Sequence, residues 1–274
     1  MITHAISLFL CVLVAGGLAA CGKGAAPADL YQAKGFVTGK DERYRQSGFA
    51  QGLPDVLIKV SGDPRLKYDP RVAALASEAG TFVDSYTYRD RMDGLPIGDE
   101  QGTRDRPFDL VISFKPDSVD LALKSLGREP WTAARPRVVV FLAVRNHARD
   151  YYLASDGEFG SDQRDSLAAA AWQIGLPVQV PPLSAMAGLP LAFDAPANDR
   201  LQSFSAAAKT AGGDVALTGT MVWSDGFNGW HASWQLTSQG KTYAWKIRDV
   251  NFDDAFRNAM QGAAQILSGH GQPE

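Results

Sequence analysis

The apolar run from Arg137 to Val144 constrains the fold more than any other part of the sequence. Its residues, RVVVFLAV, contain one charge and several β-branched side chains. A strand with one solvated face alternates polar and apolar residues, so an uninterrupted run is expected to be covered on both faces. We therefore predict a central strand here, in an α/β or α+β fold with mixed sheets.

The segment after residue 214 has the most regular β pattern. Val215–Trp223, Trp230–Thr237 and Thr242–Arg248 are joined by glycine-containing turns, which predicts an antiparallel meander. A helix from Phe252 to Leu267 is predicted to pack on this sheet. Core packing is the first interpretation of the six tryptophans and an exposed binding surface is the alternative: Trp131, Trp172, Trp223, Trp230, Trp234 and Trp245.

The first half of the chain alternates between strand and helix signals. Val56–Ser61 is a β-branched run closed by Gly62, which predicts a buried strand ending in a turn. Asp69 followed by Pro70 predicts a capped helix start. The other predicted elements are strands Phe82–Arg89, Phe108–Phe114 and Val178–Val180, and helices from Asp117 to a stop at Gly127, Gln163–Ile174 and Gln202–Ala211.

The length of 274 residues allows one large domain or two small ones. The element pattern favours two α/β subdomains, residues 31–131 and residues 132–268, the second of which ends in the meander and its helix. Residues 269–274 are predicted to be a disordered tail.

The N-terminus resembles the export signal of bacterial lipoproteins. No charge occurs from Ala5 to Ala20, and the apolar run Leu8–Val14 is well short of the roughly 20 residues that span a bilayer. Leu18-Ala19-Ala20-Cys21 resembles a lipobox, which implies removal of residues 1–20 and lipid attachment at Cys21, with residues 21–30 as a flexible tether. A plain secretory signal and a random apolar helix before a buried cysteine are the alternatives.

An acylated Cys21 implies stable anchoring, because a mature lipoprotein carries more than one acyl chain, such as palmitate. No Asp follows Cys21, and by resemblance to sorted lipoproteins this favours the outer membrane, with the folded part facing the periplasm. Cys11 would leave with the signal peptide, so no disulfide is expected.

The composition is that of an ordinary globular protein. The net charge is -3 and no basic block stands out, which argues against nucleic acid as a partner.

Three segments together resemble the Gram-negative envelope family known as domain of unknown function 2066. They are Val60-Ser61-Gly62-Asp63, the run from Phe108 to Gly127, and Trp131 with Arg135-Pro136 before the apolar strand. The resemblance covers roughly residues 31 to 250. It implies an envelope protein and brings no catalytic residues.

Motifs for common enzyme chemistry do not occur in the sequence: it has no Gly-x-Ser-x-Gly, His-Glu-x-x-His, P-loop or dinucleotide fingerprint. We predict no catalytic residue, no cofactor and no metal. His4 would leave with the signal and His270 lies in the predicted tail. His231 is predicted to be exposed and to have no functional role, whereas His147, just past the apolar strand, is a binding candidate because ligands bind at strand ends.

The 18-residue loop Asp90–Pro107 is long enough to suggest a function. Arg91, Arg104 and Arg106 are candidates for binding an anion. The alternative is that they form ion pairs with neighbouring aspartates in a solvated loop. The acidic stretch Asp156–Asp162 lacks the ligand order of a calcium loop, so a solvated loop is expected.

Two functions fit these observations. The first is a membrane-anchored, periplasm-facing lipoprotein that acts as a non-catalytic adaptor or assembly factor for another envelope protein. The alternative is an envelope hydrolase with an Asp-, Glu- or Ser-based site, which would need a pocket with two carboxyl groups or a histidine beside an acid and a hydroxyl.

Overall fold

The computed structural model describes residues 30–94, 106–189 and 201–273, and the backbone of 98–99 and 102–103. These residues form an α+β fold, which confirms the predicted class. The helices are α1 Glu42–Ser61, α2 Pro70–Ala76, α3 Pro116–Ser125, α4 Ser161–Ile174, α5 Leu183–Met186, α6 Leu201–Thr210 and α7 Phe252–Leu267, and two short 3-10 turns are Pro64–Tyr68 and Ala79–Phe82.

The strands form two main sheets. The first is antiparallel with the order β1-β5-β2, and the second has the order β11-β10-β9-β6-β7, with β8 also paired to β6. A small hairpin, β3-β4, lies in the loop Asp90–Pro107. The strand bounds are β1 Gln32–Val37, β2 Val83–Asp90, β3 Gly98–Asp99, β4 Gly102–Thr103, β5 Phe108–Phe114, β6 Val138–Asn146, β7 Arg149–Tyr152, β8 Val178–Gln179, β9 Val215–Ser224, β10 Gly229–Ser238 and β11 Lys241–Val250.

Strand β6 is the predicted central strand. It pairs in parallel with β9 and β8 and antiparallel with β7. Val140 and Leu142 point into the main core, whereas Val139 and Phe141 point to the opposite face and pack with Phe204 of α6. Both faces are therefore covered, as the uninterrupted apolar run requires.

The predicted strand Val56–Ser61 is wrong, because these residues form the last turns of α1. Gly48 and Gly52, which interrupt the helical pattern in the sequence, lie one turn apart on the buried face of α1. A Cβ on Gly35 of β1 would lie 2.8 Å from the carbonyl oxygen of Gly48, so bare backbone lets helix and strand touch. The apolar run is continuous because the end of the helix is buried all round.

The meander and its helix are confirmed. Strands β9, β10 and β11 pair antiparallel in sequence, and α7 spans Phe252–Leu267 as predicted. Trp230, Trp234 and Trp245 lie in the core, which bears out that interpretation for these three residues. Trp131, Trp172 and Trp223 are only partly buried.

Two boundaries differ from the sequence predictions. Helix α3 begins at Pro116 after Lys115, not at Asp117, because proline is favoured in the first helical turn. Residues 269–273 are not a frayed tail: the backbone N–H of His270 donates to the Gln265 carbonyl oxygen, and Gln265 Nε2 donates to the Gln272 carbonyl oxygen at 2.9 Å.

Arg135 joins the two halves of the chain. Its buried guanidinium donates to the carbonyl oxygens of Lys59, at the end of α1, and Ile174, at the end of α4. Carbonyl groups at helix ends have no partner inside the helix, so one side chain satisfies both ends. Burial lowers the pKa of Arg135 to about 10. The hydrophobic core runs through both sheets without a break, and the division at residue 131 stays a prediction.

Candidate functional site

His147 lies in the turn between β6 and β7 with a left-handed φ of 53°, which is uncommon for a residue other than glycine. Its Nδ1 lies 2.9 Å from Asp225 Oδ1, in the turn between β9 and β10. A carboxylate only accepts hydrogen bonds, so Nδ1 of His147 is the donor of this pair. Trp223 Nε1 donates to the same oxygen of Asp225, which fixes the indole beside the imidazole ring.

His231 lies on β10 near the same end of the sheet, and its side chain is 34% exposed. Its Nε2 lies 2.9 Å from Asp249 Oδ1. Asp249 has a φ of 58°, and β11 is irregular here because the pairing shifts between Trp230 and Ala232. Gly229 permits this arrangement, since a Cβ there would lie 2.9 Å from the Asp249 backbone.

We define the histidine–aromatic surface as two neighbouring groups at this end of the sheet, His147 with Trp223 and Asp225, and Phe227 with His231 and Asp249. Trp223 pairs with Trp230 on the core face of the sheet and His231 points to the opposite face, so the β9–β10 turn, which carries Asp225 and Phe227, joins the two groups. Phe227 is 67% exposed and its ring centroid lies 5.9 Å from that of His231. Trp223 is half-buried and packs edge-on against the buried Trp230, at 5.5 Å. The surface thus presents aromatic rings and imidazoles whose orientations are fixed by two carboxylates and by the turns of the sheet.

Among the described residues, neither His147 nor His231 has a hydrogen bond to a hydroxyl group, so each histidine–aspartate pair lacks an adjacent nucleophile. No cluster of three or more potential His, Cys, Asp or Glu metal ligands occurs in the part of the chain that the structure describes.

The arginines of the long loop pair with aspartates. Arg106 Nε lies 3.0 Å from Asp90 Oδ2, and Arg91 Nε lies 3.7 Å from Asp109 Oδ1. Arg104 lies outside the described residues. Arg91 is in an ion pair at the surface, whereas the Arg106 side chain is only 12% exposed, and no anion site is needed to explain either residue.

The acidic stretch Asp156–Asp162 is likewise tied to the protein itself. Asp156 Oδ1 accepts a hydrogen bond from the Leu183 N–H at 2.7 Å. Arg164 donates to the carbonyl oxygens of Ala154 and Phe159. These bonds account for the shape of the loop.

Asp63 is the centre of a second cluster, which the sequence did not reveal. Its side chain is fully buried and accepts hydrogen bonds from Arg65, at 2.7 and 2.9 Å, and from Arg128 Nε, at 2.7 Å. Burial alone would raise the pKa of Asp63, but the hydrogen bonds from these arginines outweigh it and lower the pKa to about 2. Arg128 is remote in sequence, so no local motif identifies the cluster.

His270 joins this cluster together with Ser268. Ser268 Oγ lies 2.7 Å from His270 Nδ1, and His270 Nε2 lies 3.9 Å from Asp63 Oδ2. A hydroxyl, an imidazole and a carboxylate therefore lie in a row. Ser268 Oγ also lies 3.2 Å from the Gly62 carbonyl oxygen, and Asp63 already accepts bonds from two arginines. These contacts hold the C-terminal residues Ser268 and His270 against the end of α1.

The comparisons with known proteins identify one family segment. Residues 25–132, less than half of the chain, match the model of a family described as Domain of unknown function (DUF8605), and the resemblance to domain of unknown function 2066 stays a prediction. Searches of curated proteins and of solved structures give no match. Among the described residues, no helix has the length and apolarity needed to cross a membrane.

Proposed function

We propose that the chain is a lipoprotein of the cell envelope, anchored to the outer membrane through Cys21 and facing the periplasm. Its folded part is a non-catalytic adaptor that binds another envelope protein. The apolar segment before Cys21, the lipobox-like residues and the resemblance to domain of unknown function 2066 support this placement.

In this proposal the histidine–aromatic surface is the part of the molecule that binds the partner protein. Exposed aromatic side chains beside polar groups are typical of the residues that dominate protein interfaces. Trp223 is held by Asp225 and by packing on Trp230. A surface that is ordered before binding loses less side-chain entropy on association, so it suits a specific partner.

Site-specific photo-crosslinking in intact cells tests this role. A photoreactive residue at Phe227 is expected to give one reproducible adduct with another envelope protein. The matched control is the same residue at Tyr68, which is 82% exposed and lies outside this surface. Trp223→Ala is expected to abolish the adduct at position 227. Equal adducts at both positions, or an adduct with the mass of two copies of the chain, would contradict the adaptor role.

The hydrolase alternative has one observation in its favour, the row Ser268, His270 and Asp63. Burial lowers the pKa of His270, so its neutral, proton-accepting form is favoured. Against catalysis, Asp63 lies beyond hydrogen-bond distance of His270 and is occupied by Arg65 and Arg128.

Labelling with a fluorophosphonate separates the two functions. The adaptor proposal predicts no labelling above that of Ser268→Ala. Stoichiometric labelling that Ser268→Ala and His270→Ala both remove would favour the hydrolase.

A further inference from the structure

A cleft of about 240 Å³ opens where α1, β1 and α4 meet, away from the histidine–aromatic surface. Ala33, Ala169 and Trp172 form its apolar walls. Its polar side chains are Gln32, Lys34, Asp55 and Gln173. Apolar walls with a few polar groups are typical of small-molecule sites, and this volume lies just below the range of about 300–1,000 Å³ for drug-sized ligands.

Two ammonium groups flank the indole of Trp172. Lys59 Nζ lies 3.9 Å from the ring centroid and Lys34 Nζ lies 4.3 Å from it. Lys59 is 2% exposed, and its Nζ donates to the Gln32 carbonyl oxygen at 3.0 Å. Among the described residues, no carboxylate lies within ion-pair distance of the exposed Lys34. An anion beside the exposed Lys34 would pair with its ammonium.

Asp55 is the single acid that lines the cleft in the described part of the chain. Gln173 Nε2 donates to its Oδ2 at 3.1 Å. Burial raises the pKa of Asp55, with Lys67, Lys59 and Arg257 acting in the opposite direction. Gln173 thus engages the carboxylate of Asp55, whereas the exposed Lys34 lines the cleft with its ammonium over Trp172, and this cation favours a negatively charged ligand.

We propose that this cleft binds a small organic carboxylate. Its apolar body, a single ring or a short chain, lies against Ala33, Ala169 and Trp172, and its carboxylate pairs with the Lys34 ammonium. The Lys59 ammonium, which donates to the Gln32 carbonyl oxygen, packs on the same indole and helps to hold it in place. This inference does not depend on the adaptor function or on the membrane anchor.

Titration of the full chain with sodium benzoate tests the proposal, with benzyl alcohol as a neutral ligand of similar shape and inorganic phosphate as an anion without an apolar body. The readout is the indole N–H resonance of Trp172, assigned with Trp172→Phe. Benzoate is expected to shift this resonance saturably and to bind more tightly than benzyl alcohol or phosphate.

Variants of two lysines complete the test. Lys34→Gln is expected to weaken benzoate binding about tenfold, the usual size of a lost charge-assisted hydrogen bond, and to leave benzyl alcohol unaffected. Lys246→Gln removes another exposed lysine, on β11, and is expected to change neither ligand. The absence of a saturable shift, equal binding of benzoate and either comparator, or unchanged benzoate binding in Lys34→Gln would overturn the proposal.

Discussion

Asp63 illustrates what a single residue can decide in this molecule. Its buried carboxylate accepts hydrogen bonds from Arg65, which is close in sequence, and from Arg128, which is distant. His270, also distant in sequence, lies 3.9 Å away. The sequence predicts local roles well, as it does for Asp69, whose side chain caps α2 by accepting from the Arg71 N–H. It does not predict Asp63, because its partners are set by the tertiary fold.

Asp63→Asn is expected to lower the free energy of unfolding by about 1–3 kcal/mol, because the arginine groups lose their charged acceptor inside the protein. Arg65 and Arg128 are partly exposed, so water compensates for some of the loss. Urea denaturation measures the change. Asp150→Asn, which removes an exposed ion pair with Arg145, is the matched control and is expected to have little effect. Equal effects of the two substitutions would contradict the central role of Asp63.

The low pKa of Asp63 also predicts that the folded protein loses stability in acid. The pKa of Asp63 is about 2 in the folded state, below the value of about 3.9 for an unfolded aspartate. Its contribution to stability is therefore complete above about pH 4 and is lost as the pH falls through about 2. Unfolding experiments at a series of pH values should show a smaller loss of stability over this window in Asp63→Asn. A variant that loses stability as steeply as the original chain would contradict this assignment.

At the scale of the element, the spacing of apolar residues and the residue types found in turns predict most of the helices and strands. The meander is predictable because its alternation of apolar and polar residues and its glycine-containing turns are local signals. Strand β6 is predictable because its apolar run is uninterrupted. Helix α1 is not predictable in this way. Gly48 and Gly52 suggest a helix break in the sequence, yet in the fold they let the helix lie against β1 and β5.

Gly35→Ala is expected to destabilise the protein by about 1–3 kcal/mol, because the new methyl group would meet the backbone of Gly48, which no rotamer change can relieve. The measurement is the urea midpoint. Gly226→Ala is the control: a Cβ there has nothing within 4 Å, and a change within about 0.5 kcal/mol is expected. If Gly35→Ala were equally harmless, the close approach of α1 and β1 would be wrong.

At the scale of the whole molecule, two sheets share one core, and Arg135 ties the end of α1 to the end of α4. The sequence singles out His147 but not its place in a larger surface. The β9–β10 turn places Asp225 beside His147, because β9 pairs with β6. The irregular pairing of β10 and β11 places Asp249 beside His231. Those are long-range features that no local pattern carries.

Arg135→Ala is expected to lower the free energy of unfolding by about 2–4 kcal/mol, since two buried carbonyl groups lose their donor. Hydrogen exchange should accelerate at the ends of α1 and α4 together. Arg248→Ala, at an exposed position on β11, is the control. Faster exchange in one helix alone would show that Arg135 does not link the two halves.

The proposed placement of this molecule at a membrane depends on Cys21, and mass spectrometry of the native protein from cell membranes tests it most directly. We expect a chain that lacks residues 1–20 and begins with a Cys21 that carries acyl chains, and a Cys21→Ser variant that is released from the membrane fraction. A native chain that retains residues 1–20, or that has an unmodified Cys21, would contradict the anchor and the adaptor role built on it.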